Sequence, residues 1–192
     1  FRKHATVPVI SMESAREHPC QGLADLLTVQ ETFQKTKGLP VTLTWAPHVK
    51  PLPKAVPNSF LLTAAAAGCH VRVAHPKGFE LRPEVRAEAE AFAAVTGGSV
   101  TYTDDQRAAL EGSAVLCAKA WGPATDGPGG DLQQAGWMPG ASHLDLLDKD
   151  GIFLHCLPTR RNLEVADAVL DNPRSRVVDE AENRFHVQRA LL

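Results

Sequence analysis

The sequence predicts an α/β fold built on a mainly parallel sheet with helices on both faces. Three observations lead there. Apolar runs of strand length alternate with stretches of helical periodicity. The strand runs are apolar through most of their length, as strands buried on both faces are. Uncommon polar residues collect where those strands end, which is where sheets of this kind bind ligands.

Taken in order, Val7–Ile10 is short and β-branched and predicts a buried strand. From Gln21 to Phe33, residues Leu23, Leu26, Leu27, Val29 and Phe33 recur at helical spacing, with Pro19 in the first turn, where its missing N–H costs nothing. Gly38-Leu39-Pro40 breaks that pattern and Val41–Trp45 forms the next strand. Asn58-Ser59 is placed to cap a helix with Phe60, Leu61 and Ala65 on its apolar face. Val71–Ala74 is a strand, Pro83–Thr96 a helix and Ser99–Thr103 a strand. Asp104 or Asp105 caps a short helix through Leu110, and Ala114–Ala118 is a further strand. A Gly/Pro-rich loop runs from Gly122 to Gly130. Ile152–Cys156 is the last strand, followed by helices from Val165 to Leu170 and from Glu180 to Leu192.

The bulk composition excludes some functions. With 192 residues, 44% of them apolar, the chain suits one domain, or one domain plus part of another. A net charge of −2 lacks the basic excess of a general nucleic-acid or membrane-surface binder. No apolar run approaches the roughly 18 residues of a membrane span. The four cysteines, Cys20, Cys69, Cys117 and Cys156, form no CxxC pair and fit neither a zinc ribbon nor a compact disulfide framework. Cys69 and Cys117 read as buried thiols, so a cytoplasmic location is expected. His70, His75, His143 and His186 have no metal-ligand spacing, and no metal or cofactor is expected. The start at Phe1-Arg2-Lys3-His4 has neither an initiator methionine nor a signal-peptide apolar region and reads as a cut.

Four strand ends stand out. The first run leads to Glu13 and His18-Pro19-Cys20-Gln21, and the second to Trp45-Ala46-Pro47-His48. The Ala114–Ala118 strand ends at Lys119-Ala120-Trp121, and the last at Leu157-Pro158-Thr159-Arg160-Arg161. Such concentrations of His, Lys, Arg and Glu exceed what an ordinary surface gives.

His18-Pro19-Cys20-Gln21 at a helix start, followed far downstream by His155-Cys156-Leu157-Pro158 and an arginine, resembles the aspartate/ornithine carbamoyltransferase superfamily. Four further stretches resemble its N-acetylornithine and N-succinylornithine branch: Leu43–His48, Ala55–Ser59, Ala118–Trp121 and Glu180–Arg184. Ordinary ornithine enzymes carry a motif ending Ser-Met-Gly where this chain has Lys119-Ala120-Trp121. The resemblance runs from Val7 to Leu192. The family's Ser-x-Arg-Thr phosphate loop does not occur here; in the family it lies upstream of this region.

The resemblance implies a Rossmann-like ornithine-binding domain plus a remnant of the carbamoyl-phosphate domain. Residues 1–36 would end the carbamoyl-phosphate domain and supply an interdomain helix, 37–175 would form the acyl-ornithine domain, and 176–192 a helix returning to the first domain. It implies carbamoyl transfer from carbamoyl phosphate to the δ-amine of N-acetyl-L-ornithine in arginine biosynthesis, with N-succinyl-L-ornithine as the alternative acceptor. His18, Gln21 and Arg184 would be catalytic. His18, Pro19, Cys20, Gln21, Cys156, Leu157 and Arg184 would hold carbamoyl phosphate; Glu13, His48, Lys119, Leu157 and Arg160 would hold the amino-acid substrate. A homotrimer is implied, with neither nucleic acid nor membrane as partner, and this chain alone would be inactive.

The chemistry suits these residue types. Fixed donors must stabilise the negative oxygen of a tetrahedral intermediate, and His18 at a helix start can supply one. Gln21 offers both an acceptor and donors to a carbamoyl amide. Backbone carbonyls of Cys156 and Leu157 can accept from its NH2, and the planar fork of Arg160 matches a carboxylate. Plain alternatives stand beside these: helix capping for His18, packing for Cys20, an ordinary buried thiol for Cys156, an ion pair for Arg184, solvation or a salt bridge for Arg161, and core positions for Trp45 and Trp121. Glu164 matches a lysine that some acetylornithine enzymes carry as a carbamate. There it either keeps that charge, marks the succinyl branch, or is an exposed helix residue. A non-catalytic Rossmann-like nucleotide module would need a Gly-rich phosphate turn, and Gly127–Gly130 lacks GxGxxG spacing.

Overall fold

The computed structural model describes residues 3–124 and 131–192. Phe1, Arg2 and the Gly127–Gly130 cluster lie outside them, as does most of the Gly/Pro-rich loop. The described elements, in chain order, are α1 (Pro19–Phe33), β1 (Pro40–Trp45), α2 (Ala55–Ala66), β2 (His70–Ala74), α3 (Pro83–Thr96), β3 (Ser99–Thr103), α4 (Gln106–Leu110), β4 (Val115–Lys119), α5 (Ala141–Leu144), β5 (Ile152–Leu154), α6 (Asp167–Leu170) and α7 (Val177–Leu191). The five strands form one parallel sheet in the order β3-β2-β1-β4-β5.

Helices cover both faces, and the strand alternation decides what each face buries. Val41, Leu43 and Trp45 of β1, with Val71 and Val73 of β2, pack against Phe60 and Leu61 of α2 and Val85 and Ala89 of α3. Leu116 and Ala118 of β4 and Phe153 of β5 pack on the opposite side with Leu110, Leu144, Val169 and Val177. The intervening Thr42 and Thr44 are fully buried and satisfied by α4. Thr42 Oγ1 donates to the Ala109 carbonyl at 2.6 Å, and Gln106 Nε2 donates to Thr44 Oγ1 at 2.8 Å.

Several elements differ from the sequence reading. Val7–Ile10 belongs to no strand, and Val7, Val9 and Ile10 are exposed. Pro8 gives this segment no backbone donor at its centre, which weakens its fitness as a ladder strand. Asn58 and Ser59 lie inside α2 rather than capping it. They serve the neighbouring segment instead: Asn58 Nδ2 donates to the Arg16 carbonyl at 2.8 Å, and Ser59 Oγ accepts from the His18 N–H at 2.8 Å. Asp105, not Asp104, caps α4, accepting from the Ala108 N–H at 3.0 Å. The short α5 has no sequence signal beyond a preceding glycine. β5 stops at Leu154, leaving His155 and Cys156 in the loop, and α7 starts three residues before Glu180.

The order of strands positions the site. Crossovers run outward in one direction through β2 and β3 and in the other through β4 and β5, so the sheet has its topological switch between β1 and β4. There the carboxyl ends splay and leave a crevice. The Ala46 N–H donates to the Lys119 carbonyl at 3.0 Å, holding the two strands together until just before they diverge.

Candidate functional site

A cleft of about 650 Å³ opens at this switch point. Glu13, His18, Gln21, His48, Lys119, Cys156, Leu157, Arg160 and Arg184 all line it. Nine sequence-designated residues from five separate segments thus converge. Pro19 and Cys20 do not line it. They lie in the first turn of α1, with the Cys20 side chain packed inside. The cleft carries four cationic side chains (Lys50, Lys119, Arg160, Arg184) against two carboxylates (Glu13, Glu164). In a chain of net charge −2 this local excess marks a site for an anion.

His18 immediately precedes α1 and its side chain makes no capping bond, so the helix-capping alternative falls. Its backbone is pinned by Ser59 of α2. Gly22, on the next turn, allows that proximity: a Cβ there would lie 2.6 Å from Thr63 Oγ1 and 2.9 Å from the Ser59 carbonyl. The His18 ring is buried, and Nδ1 has no partner among the described residues. Burial, and secondarily the Arg184 guanidinium, hold its pKa below the ordinary range, while Glu13 pulls weakly the other way. The ring is therefore neutral near pH 7 and can donate from one nitrogen.

Gln21 is fully buried, and its amide is committed. Nε2 donates to Asp25 Oδ1 at 2.7 Å and to Glu180 Oε1 at 2.8 Å, while Oε1 is unpartnered. Gln21 therefore offers the cleft an acceptor, where the sequence left donor and acceptor open. Glu180 Oε2 also accepts from the His155 N–H at 2.8 Å, tying α7 to the end of β5. His155 is fully buried and held neutral by burial and then by Lys119, its pKa pushed down to about 3. Its Nδ1 accepts from the Leu157 N–H at 3.1 Å. Leu157 adopts a left-handed backbone, φ 44, rare for a residue with a side chain. Burial pushes the Cys156 thiol up to about 12, so it is no nucleophile near neutrality and only its backbone is available for chemistry.

At the other wall, Glu164 is 2% exposed, which removes its reading as a surface residue. Its Oε2 accepts from the Arg160 N–H at 2.6 Å, fixing the loop that carries Arg160, and its Oε1 stands 4.0 Å from His48 Nε2. No ion pair engages Arg160 among the described residues, and Arg184 Nε is buried without a partner. Arg161 is instead bound by Asp167 and Asp171 at 2.7 and 2.8 Å, as a salt-bridged neighbour should be. Trp45 and Trp121 are core: Trp45 Nε1 donates to the Trp121 carbonyl and Trp121 Nε1 to the Phe79 carbonyl. Five buried polar atoms of cleft-lining residues have no hydrogen-bond partner among the described residues: His18 Nδ1, Gln21 Oε1, Thr159 Oγ1, Glu164 Oε1 and Arg184 Nε. Orphaned polar atoms are costly and uncommon, so their clustering points to a polar ligand.

Sequence reasoning missed Lys50, Thr159 and the Asp25–Glu180–His155 support. Lys50 lies two residues past His48, and its N–H contacts His48 Nδ1 at 3.1 Å. Asp25 follows Gln21 by four residues on a buried helix face, an i,i+4 polar pair that offered the one available signal. No cluster of three or more metal-ligating side chains exists among the described residues, and no described helix is long and apolar enough to cross a membrane.

Residues 53–192 match the model of the aspartate/ornithine carbamoyltransferase Asp/Orn binding domain. An ornithine carbamoyltransferase of Synechocystis sp. is 40% identical over 100% of this chain and 61% of its own length. The N-succinylornithine carbamoyltransferase of Bacteroides fragilis is 39% identical over 96% of this chain and 54% of its own. A solved structure of N-acetyl-L-ornithine transcarbamylase superposes with a TM-score of 0.92 at 37% identity, covering 99% of this chain and 60% of that one. A variant of that enzyme complexed with carbamyl phosphate and N-succinyl-L-norvaline superposes at 0.93 with 38% identity. The chain spans between about half and three fifths of the length of these relatives.

Proposed function

We propose, for a chain that belongs to the aspartate/ornithine carbamoyltransferase family, that the whole protein carbamoylates the δ-amine of N-acetyl-L-ornithine. The products are N-acetyl-L-citrulline and phosphate, and the step serves arginine biosynthesis. The observation that carries this reading is the cationic cleft at the β1/β4 switch, whose lining residues hold five buried polar atoms with no hydrogen-bond partner among the described residues. On the same reading, residues 1–36 and 176–192 belong with a carbamoyl-phosphate domain and 37–175 form the acyl-ornithine domain. The packing of α1 against α7 supports that grouping. A cytoplasmic homotrimer, with this chain inactive alone, completes the proposal.

In the reaction the amine lone pair attacks the carbamoyl carbon. The bond from that carbon to the bridging phosphate oxygen breaks, phosphate leaves with the electron pair, and the nitrogen sheds a proton. Neutral His18 donates to the carbamoyl oxygen as negative charge builds there. Gln21 Oε1 and the carbonyls of Cys156 and Leu157 accept from the carbamoyl NH2. Arg184 contributes positive charge to the leaving phosphate. Arg160, held by Glu164, forks onto the α-carboxylate of the acceptor, with Glu13, His48 and Leu157 around its chain.

Lys119 favours an acylated acceptor. It stands at the β4 end beside the cleft, close enough to depress His155, and none of its neighbours in the cleft wall is a carboxylate bonded to it. A free α-ammonium would meet a like charge there, whereas an acylated nitrogen carries none. N-Succinyl-L-ornithine is the second reading, favoured by the 39% identical Bacteroides fragilis relative and by the extra carboxylate that Lys119 or Lys50 could meet. Assaying the whole protein with N-acetylornithine, N-succinylornithine and ornithine tests both. Turnover of ornithine alone overturns the acyl assignment, and carbamoylation of none of the three overturns the class.

A further inference from the structure

Two buried carboxyls sit behind the cleft without touching it. Asp25 of α1 and Glu180 of α7 are 2% and 1% exposed, and the Gln21 amide nitrogen bridges them, at 2.7 and 2.8 Å. An ionised pair so placed would be prohibitively costly, and burial raises both above the ordinary carboxylate range, Glu180 the further. Near neutrality the pair therefore keeps a proton, and Glu180, raised the further, is the one that holds it. No step of the reaction uses it, yet its other contacts all lead to the cleft. Gln21 Nε2 gives one N–H to each carboxyl, and Glu180 Oε2 takes the His155 N–H directly before Cys156.

A glutamine amide can ordinarily turn over, exchanging oxygen for nitrogen. Here it cannot. Reversing it would aim the amide oxygen at two carboxyls that have only one proton between them, and would strand two N–H groups toward the cleft. Resting on the carbamoyl-transfer reading above, we propose that Glu180, with Asp25, is a positioning residue: the pair locks the Gln21 amide so that only its oxygen faces the cleft, committing that wall to an N–H donor. Glu180 also holds the His155-Cys156 turn after β5 from the same side chain, so the acceptors meeting one NH2 group are aligned by a single residue.

Kinetics of the whole protein separate positioning from bulk structure. Glu180→Gln keeps size but supplies one acceptor oxygen where two donors need one each. It is expected to lower kcat/KM for carbamoyl phosphate about 10- to 100-fold, and Gln21→Ala by a similar factor. Asp25 bonds the Gln21 amide and not the His155 N–H, so Asp25→Asn combined with Gln21→Ala is the double variant that decides, and it should fall no more than about threefold below Gln21→Ala alone. Losses that multiply in the double variant overturn the proposal, since a merely structural role would multiply. If the wild type transfers no carbamoyl group, the functional reading fails, and positioning is decided by a second measurement. In the 192-residue chain the Gln21 side-chain amide protons, identified by their absence in Gln21→Ala, should exchange with solvent far more slowly than those of exposed Gln34 and Gln133. Equal exchange rates overturn the lock.

Discussion

Replacing His18 with alanine separates a chemical role from a structural one, because the structure divides the two within one residue. The backbone of His18 is held by Ser59 Oγ at 2.8 Å, and that bond survives the substitution. The ring makes no hydrogen bond among the described residues, so its removal strands no donor or acceptor elsewhere. The fold should therefore lose only the packing of one buried ring, about 1–2 kcal/mol. The reaction should lose far more. One donor aimed at a developing oxyanion in a water-poor site is worth about 100- to 1,000-fold in turnover, or about 2.7–4 kcal/mol of barrier. Steady-state kinetics of the whole protein, with circular dichroism to confirm the fold, reads both. A fall in kcat of at least 100-fold with KM for the acceptor nearly unchanged is expected. A loss below about threefold, some 0.6 kcal/mol, would show that His18 does not meet the developing charge and would refute the assignment. Since burial depresses the His18 pKa, the wild-type acid limb should also not be set by this ring at its ordinary pKa near 6.5.

Two further outcomes concern the frame of the site. Gly22→Ala gains about 0.5–1 kcal/mol of helix preference but forces a Cβ to within 2.9 Å of the Ser59 carbonyl, which is backbone and cannot swing aside. Overpacking of about 1–3 kcal/mol wins, so denaturant unfolding should show a net loss of about 1–2 kcal/mol; a more stable variant would disprove the close α1–α2 approach. His155→Asn tests acid stability. The unfolded histidine binds a proton below its pKa of about 6.5 while the folded one, held down to about 3, does not, so this group's stabilisation is full above 6.5 and is lost as pH falls toward 3, at about 1.4 kcal/mol per unit. Asparagine keeps an acceptor for the Leu157 N–H and does not titrate, so its stability should fall less steeply over that window; parallel curves would contradict a neutral buried His155.

The strands and long helices were legible because each carries its periodicity in consecutive residues. α3 and β3 occur at their expected bounds, and β1, β2 and β4 within one residue at each end. Failures came where a residue's neighbours are distant in sequence. Val7–Ile10 has strand composition but finds no strand to pair with among the described residues. Asn58 and Ser59 look like a cap locally, yet their partners, Arg16 and His18, lie 42 and 41 residues away. In the site, His48, Lys119 and Arg160 stood out as polar groups following strands, while Glu13, His18, Gln21 and Arg184 stood out through the family motifs they belong to. The groups that orient them did not, because a buried Asp25 on a helix or a Glu180 in a charged run resembles ordinary surface until the chain folds.

That distinction bears on how the cleft achieves order without rigidity of its own. Most of its lining residues sit on loops and helix ends, elements that are mobile unless something behind them is fixed. Here four of them have a buried anchor, two from a distant element and two from their own segment: Ser59 of α2 holds His18, Glu180 of α7 holds Gln21 and His155, His155 holds Leu157, and Glu164 holds the Arg160 loop. Three of these anchors are ionisable groups buried almost completely, and their desolvation is costly unless every bond they make is kept. Any shift of α1 against α7 strains Gln21 and β5 together, since Glu180 bonds both. Order in this half of the site is therefore a property of the α1–α7–β5 junction, and substitutions there should reach the cleft even where they touch no ligand.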